Sequence, residues 1–200
     1  MKIPGTDVEY DPTLESTTHR ADELKPEVVY GLKRAAKHLA FLAARRAYPT
    51  QKLVVRDMTA QDLEITNIEW AGTGSADAWA DHDQVASKTI EDGRFVAIYG
   101  CRMMEVHLAD TMPVQALAFI VGGSEVARWD LYKAYAATGD GATLSNIAQG
   151  LTPPALITDA PIVISEHMSI TIRQWGGNAT AYTLALEGVV VELERKTLKP

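Results

Sequence analysis

The stretch MSITIRQWGGNATAYTLALEGVVV, residues 168–191, decides the fold class. Large apolar side chains alternate with polar ones over residues 168–173 and with Thr183 and Ala185 over residues 182–186, and Gly176-Gly177-Asn178 separates the two runs. Alternation with a period of two predicts β-strands, and the glycine-rich turn predicts that they form a hairpin. Gly188 interrupts the second run, so a bulge or bend is expected there.

The chain upstream shows the same kind of pattern in shorter pieces. The interval 71–87 is rich in Gly, Ser and Asp, and it predicts a long loop with a helical turn near residues 76–80. Gly122-Gly123 predicts a hairpin, which favours strand over helix for the residues that follow. The further predicted strands are 53–55, 63–70, 90–105, 114–121, 126–135 and 161–164.

About eight short strands without βαβ alternation indicate a mainly β protein. The predicted fold is an antiparallel β-sandwich of jelly-roll type, which holds eight strands in two packed sheets. Residues 49–200 form this domain, with a second long loop over 136–160 and a charged tail from residue 192.

One amphipathic helix is predicted over residues 22–48, after an N-terminal arm of residues 1–21. Asp22 suits the N-cap, Pro26 is tolerated early in a helix, and Pro49 stops it. Six residues at helical spacing predict the face that packs on the sheet. They are Leu24, Val28, Leu32, Ala35, Leu39 and Leu42.

The opposite face of this helix is basic. Residues 20–52 hold eight of the 19 Lys and Arg residues against three acids, although the whole chain has a net charge of −7. One interpretation is a solvated surface; the other is contact with an anionic partner, a genome or a membrane. The candidate contact residues are Lys33, Arg34, Lys37 and Arg45.

Composition sets the broad class of the protein. Two hundred residues, 46% hydrophobic and 22% charged, are typical of one globular domain with its own core. The single cysteine, Cys101, lies in an apolar run and predicts a buried, inert thiol. The N-terminus lacks a signal-peptide pattern, so synthesis in the cytoplasm without signal-directed secretion is expected.

The sequence contains no nucleophile elbow and no phosphate-binding loop. Asp81-His82-Asp83 is a local cluster that can hold a cation only weakly, and a solvated loop is the simpler interpretation. We therefore predict a protein that is not an enzyme, with no catalytic, cofactor-binding or metal-binding residues. The alternative of a metal-dependent enzyme on a β-barrel requires His82, His107 and His167 to converge.

The four tryptophans leave a second alternative open, a carbohydrate-binding or protein-binding β-sandwich module. Trp70, Trp79, Trp129 and Trp175 fall at strand ends or in loops. Packing in the core or at a subunit interface is the simpler expectation. A binding module requires an exposed aromatic row that includes Trp175 or Trp79.

The order of the elements resembles the jelly-roll capsid proteins of tailless, membrane-containing icosahedral viruses of bacteria or archaea. A basic helix precedes the β domain, a strand opens at Pro161-Ile162-Val163-Ile164, and a final hairpin ends in Gly188-Val189-Val190-Val191-Glu192. The resemblance implies a structural virion protein, a capsid shell subunit that self-assembles with symmetric copies or with other capsid subunits. It also implies no cofactor, no small-molecule substrate, and a helix that faces the viral genome or an internal membrane.

Overall fold

The computed structural model describes residues 17–65, 70–103, 113–131, 155–176 and 179–194. These residues form one α-helix, α1 (Pro26–Ala47), and a short 3-10 helix, Ala60–Leu63. Their strands are β1 (Thr18–Arg20), β2 (Leu53–Asp57), β3 (Ala71–Thr73), β4 (Trp79–Asp81), β5 (Lys88–Thr89), β6 (Arg94–Met103), β7 (Ala116–Val121), β8 (Ser124–Asp130), β9 (Leu156–Ile164), β10 (Ser169–Trp175) and β11 (Ala181–Leu193).

The strands form two antiparallel sheets. Sheet one has the order β1-β9-β6-β11-β2, with β3 paired to the first residues of β11. Sheet two has the order β4-β10-β7-β8, with β5 paired to β10. The prediction of a mainly β protein with antiparallel sheets and one N-terminal helix is therefore confirmed.

The two sheets share one hydrophobic core. Sheet one contributes side chains such as Ile98 and Val190, and sheet two contributes Phe119, Trp129 and Ile172. The Phe119 and Trp129 rings pack with their centroids 4.5 Å apart. The alternation in the sequence positions these side chains, since every second residue of a strand points to the same face. Met168 is the exception to the predicted pattern, because it precedes β10 and is exposed.

Helix α1 begins four residues later than predicted. Lys25 is the N-cap residue and makes no side-chain capping bond, while Pro26 occupies the first turn, where no N–H is needed. The carboxylate of Asp22 instead accepts hydrogen bonds from the Arg20 guanidinium. Part of the predicted arm is ordered as β1, which pairs with β9; residues 1–16 lie outside the described residues.

The buried face of α1 also differs from the prediction. Leu39 is only half-buried and Leu42 is exposed. Small residues let the helix backbone approach the outer face of sheet one, where it meets Phe95 and Tyr99. The buried helix residues are Val28, Gly31, Leu32, Ala35, Ala36, Ala40 and Ala44.

Several of the predicted loop and strand boundaries are wrong. The interval 71–87 contains β3 and β4 instead of a loop with a helical turn. The first residue of the strand predicted at 63–70, Leu63, belongs instead to the 3-10 helix. Thr59 and Asp62 form a capping box at the N-terminus of this helix. Residues 66–69 of the predicted strand lie outside the described residues, as do residues 136–154 of the loop predicted over 136–160. Residues 156–160 of that predicted loop belong instead to β9. Strand β11 extends to Leu193, into the predicted tail.

The predicted hairpin through Gly176-Gly177-Asn178 is wrong, because β10 pairs with β4, β5 and β7 in sheet two, whereas β11 pairs with β2, β3 and β6 in sheet one. The Gly122-Gly123 hairpin and the bulge at Gly188 are confirmed. Gly122 and Gly123, both with positive φ, connect β7 to β8 as a hairpin. The register of β11 against β6 shifts between Glu187 and Gly188, which is the predicted bulge.

Candidate functional site

A groove of about 440 Å³ lies between helix α1 and sheet one. We call it the α1 groove. Its helix side consists of residues spaced three or four apart, so they share one flank of the helix. These are Tyr30, Lys33, Arg34, Lys37, His38 and Phe41. The opposite side comes from strands β2, β6 and β11, through Val55, Asp57, Tyr99 and Val189.

The groove has more positive than negative charge. The Lys33 ammonium lies 3.5 Å from the Glu187 carboxylate and 5.6 Å from the centroid of the Tyr99 ring. Arg34 and Lys37 are exposed and make no ion pair with any described residue. Asp57, on the sheet side, is likewise exposed without an ion pair among those residues. Glu187 is shared between Lys33 and Arg102, whose guanidinium lies 3.8 Å from its other oxygen. It therefore offsets Lys33 only in part, and Asp57 can offset one of the two remaining cations.

Tyr99 contributes a neutral polar group to the floor of the groove. Burial raises its pKa to about 12, and the carboxylates of Glu187 and Asp57 act in the same direction. At neutral pH its hydroxyl therefore keeps its proton and can donate a hydrogen bond.

The structure brings together three of the four basic residues predicted from the sequence. Arg45 is the exception, because its guanidinium donates to the carbonyl oxygens of Pro49 and Gln51, at 2.9 Å each. It also lies 5.2 Å from the centroid of the Phe41 ring. Arg45 therefore stabilises the end of the helix outside the groove. Helical spacing alone could have added Tyr30, His38 and Phe41 to the site.

A second surface feature is an aromatic pair on sheet two. Trp79 of β4 and Trp175 of β10 are register partners, with ring centroids 5.9 Å apart and an interplanar angle of 63°. Both are half-buried, and Trp175 alternates with the buried Gln174, so it faces away from the core. The Arg128 guanidinium lies 5.0 Å from the Trp79 centroid. Trp70 and Trp129 are buried, as the core-packing interpretation expects.

The Asp81-His82-Asp83 segment does not form a ligand cluster. His82 is 2% exposed, and its Nδ1 accepts a hydrogen bond from the Gln84 N–H. Burial lowers the pKa of His82, although the nearby Asp83 opposes the change. Asp81 is exposed and lies 3.3 Å from the Arg173 guanidinium. His82 and His167 share no ligand group in the described part of the chain, and His107 lies outside it.

Asp92, Glu166 and His167 do bring ligand atoms within 4.8 Å of one another. One Glu166 oxygen already accepts hydrogen bonds from the Tyr48 hydroxyl, at 2.6 Å, and from the Gly93 N–H, at 2.5 Å. The bond to Glu166 raises the pKa of Tyr48 to about 12. These contacts join the end of α1 to two turns of the β domain and account for the arrangement without a metal ion.

Cys101 is buried in the core, as predicted. Burial raises the pKa of its thiol well above the ordinary value, so the reactive thiolate is disfavoured.

Comparisons with known proteins do not define a family. No protein-family model and no curated protein matches the chain. Among solved structures, BuGH86 in complex with neoagarooctaose is 11% identical, and BpGH86A, a β-porphyranase of glycoside hydrolase family 86 from Bacteroides plebeius, is 9% identical. The Agl-KA catalytic domain is 13% identical.

These three alignments cover 71%, 72% and 72% of this chain, with a TM-score of 0.28 each. They span only 19%, 21% and 26% of the other chains. Similarity at this level carries no argument about function. Within the described residues, no helix is long and apolar enough to cross a membrane.

Proposed function

We propose that this protein is a jelly-roll shell subunit of a virion that assembles with symmetric copies of itself. The pairing order of eight strands carries the proposal. In chain order these are β2, β4, β6, β7, β8, β9, β10 and β11, and the first pairs with the last, the second with the seventh, the third with the sixth and the fourth with the fifth. A long hairpin folded over on itself has this order, which supports a jelly roll.

Exposed surfaces of the subunit support a role in assembly. Strand β8 is an edge of sheet two, with β7 as its partner among the described strands. A strand with one unpaired edge can pair with another copy of the chain. Val126 on β8 is 52% exposed, and Tyr30, at the rim of the α1 groove, is 67% exposed. The step from jelly roll to shell subunit rests on fold analogy, since viral capsid proteins recur on this fold.

Sedimentation and electron microscopy of the purified protein over a range of concentration and salt test this proposal. We expect oligomers or closed rings that grow with concentration. Val126→Glu should weaken assembly by placing a charge on the β8 edge, whereas Met168→Glu, at another partly exposed apolar position, should leave assembly unchanged. A monomer at every condition would contradict a shell role.

The second candidate function is carbohydrate binding, which the Trp79–Trp175 pair favours. Indole faces stack on sugar rings, and charged groups beside them, such as Arg128, can hydrogen-bond sugar hydroxyls. A glycan array with intact protein, Trp79→Ala and Trp175→Ala tests it. Binding that both substitutions abolish would support this function, and silence across the array would exclude it for the glycans tested.

A further inference from the structure

We propose that the α1 groove binds an apolar molecule that carries a single negative charge, an alkyl or aryl carboxylate. The inference goes beyond the shell role and is independent of it. It rests on the volume of the groove, on its apolar walls, and on the balance of charges around it.

The walls of the groove suit an apolar ligand body. Phe41 comes from the helix, and Val55, Tyr99 and Val189 come from three different strands of sheet one. Binding sites for small molecules typically enclose roughly 300–1,000 Å³ and are lined mainly by apolar and aromatic side chains with a few polar groups. The 440 Å³ of the α1 groove lies in this range.

The charge balance points to one negative charge on the ligand. Glu187 lies 3.5 Å from Lys33 but is shared with Arg102, 3.8 Å from its other oxygen, and Asp57 is the one carboxylate that lines the groove opposite Arg34 and Lys37. At least one positive charge therefore remains uncompensated, on a helix flank that faces the apolar floor. A carboxylate held by Arg34 and Lys37 would complete the balance, with its hydrocarbon part against Val55 and Tyr99.

The same balance argues against a polyanionic partner. Nucleic-acid binding draws its affinity from several phosphate contacts at once, and membrane binding through charge needs a cluster of cations. The whole chain has a net charge of −7, so an extended anionic surface would be repelled by the rest of the protein. A small monoanion contacts only the groove and avoids this repulsion.

Calorimetric titration of the full chain with decanoate, below its micelle-forming concentration, tests the proposal. We expect one decanoate per chain and at least tenfold weaker binding in the double variant Arg34→Gln, Lys37→Gln. The matched control removes two exposed cations from the ends of the same helix segment, Lys25→Gln with Arg46→Gln. This control should bind decanoate like the unmodified protein. Val55→Phe, which narrows the floor without changing charge, should also weaken binding.

Decanol and two polyanions complete the test. Decanol should bind at least tenfold more weakly than decanoate, because it has no charge for Arg34 and Lys37. Absence of decanoate binding would overturn the proposal, as would equal affinity in the two double variants. Tighter binding to a short oligonucleotide or to vesicles with anionic lipid than to decanoate would contradict the proposal. The ligand of the groove would then be a polyanion instead of a small monoanion. All of these results are independent of whether the protein assembles into a shell.

Discussion

At the scale of single residues, Arg56 joins two buried carboxylates. Its guanidinium donates to both oxygens of Asp62, at 2.8 and 2.5 Å, and to Glu192, at 2.9 Å. Arg94 donates to the other Glu192 oxygen, at 3.0 Å. Burial alone would raise the pKa of Asp62, but the hydrogen bonds from Arg56 and Thr59 outweigh burial and the pKa is lowered. The pKa of Glu192 is also lowered, because the hydrogen bonds from Arg56 and Arg94 outweigh the effect of burial.

Asp62→Asn should destabilise the protein by about 1–3 kcal/mol at pH 7, because it removes charge-assisted hydrogen bonds from a buried group. A carboxylate with a lowered folded-state pKa contributes stability above its unfolded pKa, about 3.9, and loses it as pH falls through the folded-state pKa. The difference between variant and unmodified protein should therefore shrink below about pH 4. Urea unfolding at several pH values measures it.

The control for this prediction is Asp83→Asn, at an exposed carboxylate. It should change the free energy of unfolding by less than about 0.5 kcal/mol at pH 7. A cost for Asp62→Asn that stays constant from pH 7 to pH 3 would contradict the assignment of a lowered pKa.

The sequence predicts some of these residue environments and misses others. Cys101 and the Gly188 bulge are predictable because an apolar run and an isolated glycine are local signals. The Arg56–Glu192 contact is not predictable in this way, since 136 positions separate its two residues. Nothing local to Glu192 distinguishes a buried carboxylate from the first residue of a charged tail.

At the scale of elements, helix α1 shows where periodicity misleads. Hydropathy ranks leucine above alanine and therefore favours a buried face through Leu39 and Leu42. The structure instead buries Ala36, Ala40 and Ala44 completely. Close packing of a helix on a sheet favours small side chains, because they let the two backbones approach. A hydropathy scale does not take side-chain size at such a contact into account. The helix itself was predictable, but the face it buries was only partly so.

Ala40→Leu should destabilise the protein by about 1–3 kcal/mol, because added methyl groups overpack the contact between α1 and sheet one. Leu42→Ala, on the exposed side, should cost less than about 0.5 kcal/mol. Thermal unfolding of both variants compares them directly. If Leu42→Ala proved the more costly of the two, the predicted leucine face would be the buried one in solution.

At the scale of the whole molecule, pairing joins strands far apart in sequence. Strand β2 pairs with β11, so Asp57 is the register partner of Val189. The mainly β class and the β7–β8 hairpin could be predicted from the sequence, but the hairpin predicted between β10 and β11 is wrong, since the two strands lie in different sheets. The pairing order could not be predicted, because local sequence patterns do not identify the strands with which β11 pairs. The α1 groove depends on this order, since Val55, Tyr99 and Val189 meet only when β2, β6 and β11 are neighbours.

Such long-range pairing should make refolding slow. Proteins dominated by non-local strand pairing fold in roughly milliseconds to seconds, because distant segments must meet before their contacts stabilise the chain. Stopped-flow dilution from urea, followed by fluorescence of the buried Trp70 and Trp129, measures the rate. Complete recovery of native fluorescence within microseconds would show that local contacts dominate instead.

Because Cys101 is buried, its thiol is a natural probe of how often the β domain opens. The chain has one sulfhydryl group, and it lies in the core that the two sheets share. A thiol-specific dye can react with Cys101 only after β6 separates from that core. The rate of labelling therefore reports how often the β domain opens. No engineered label is needed, and no second cysteine competes for the dye.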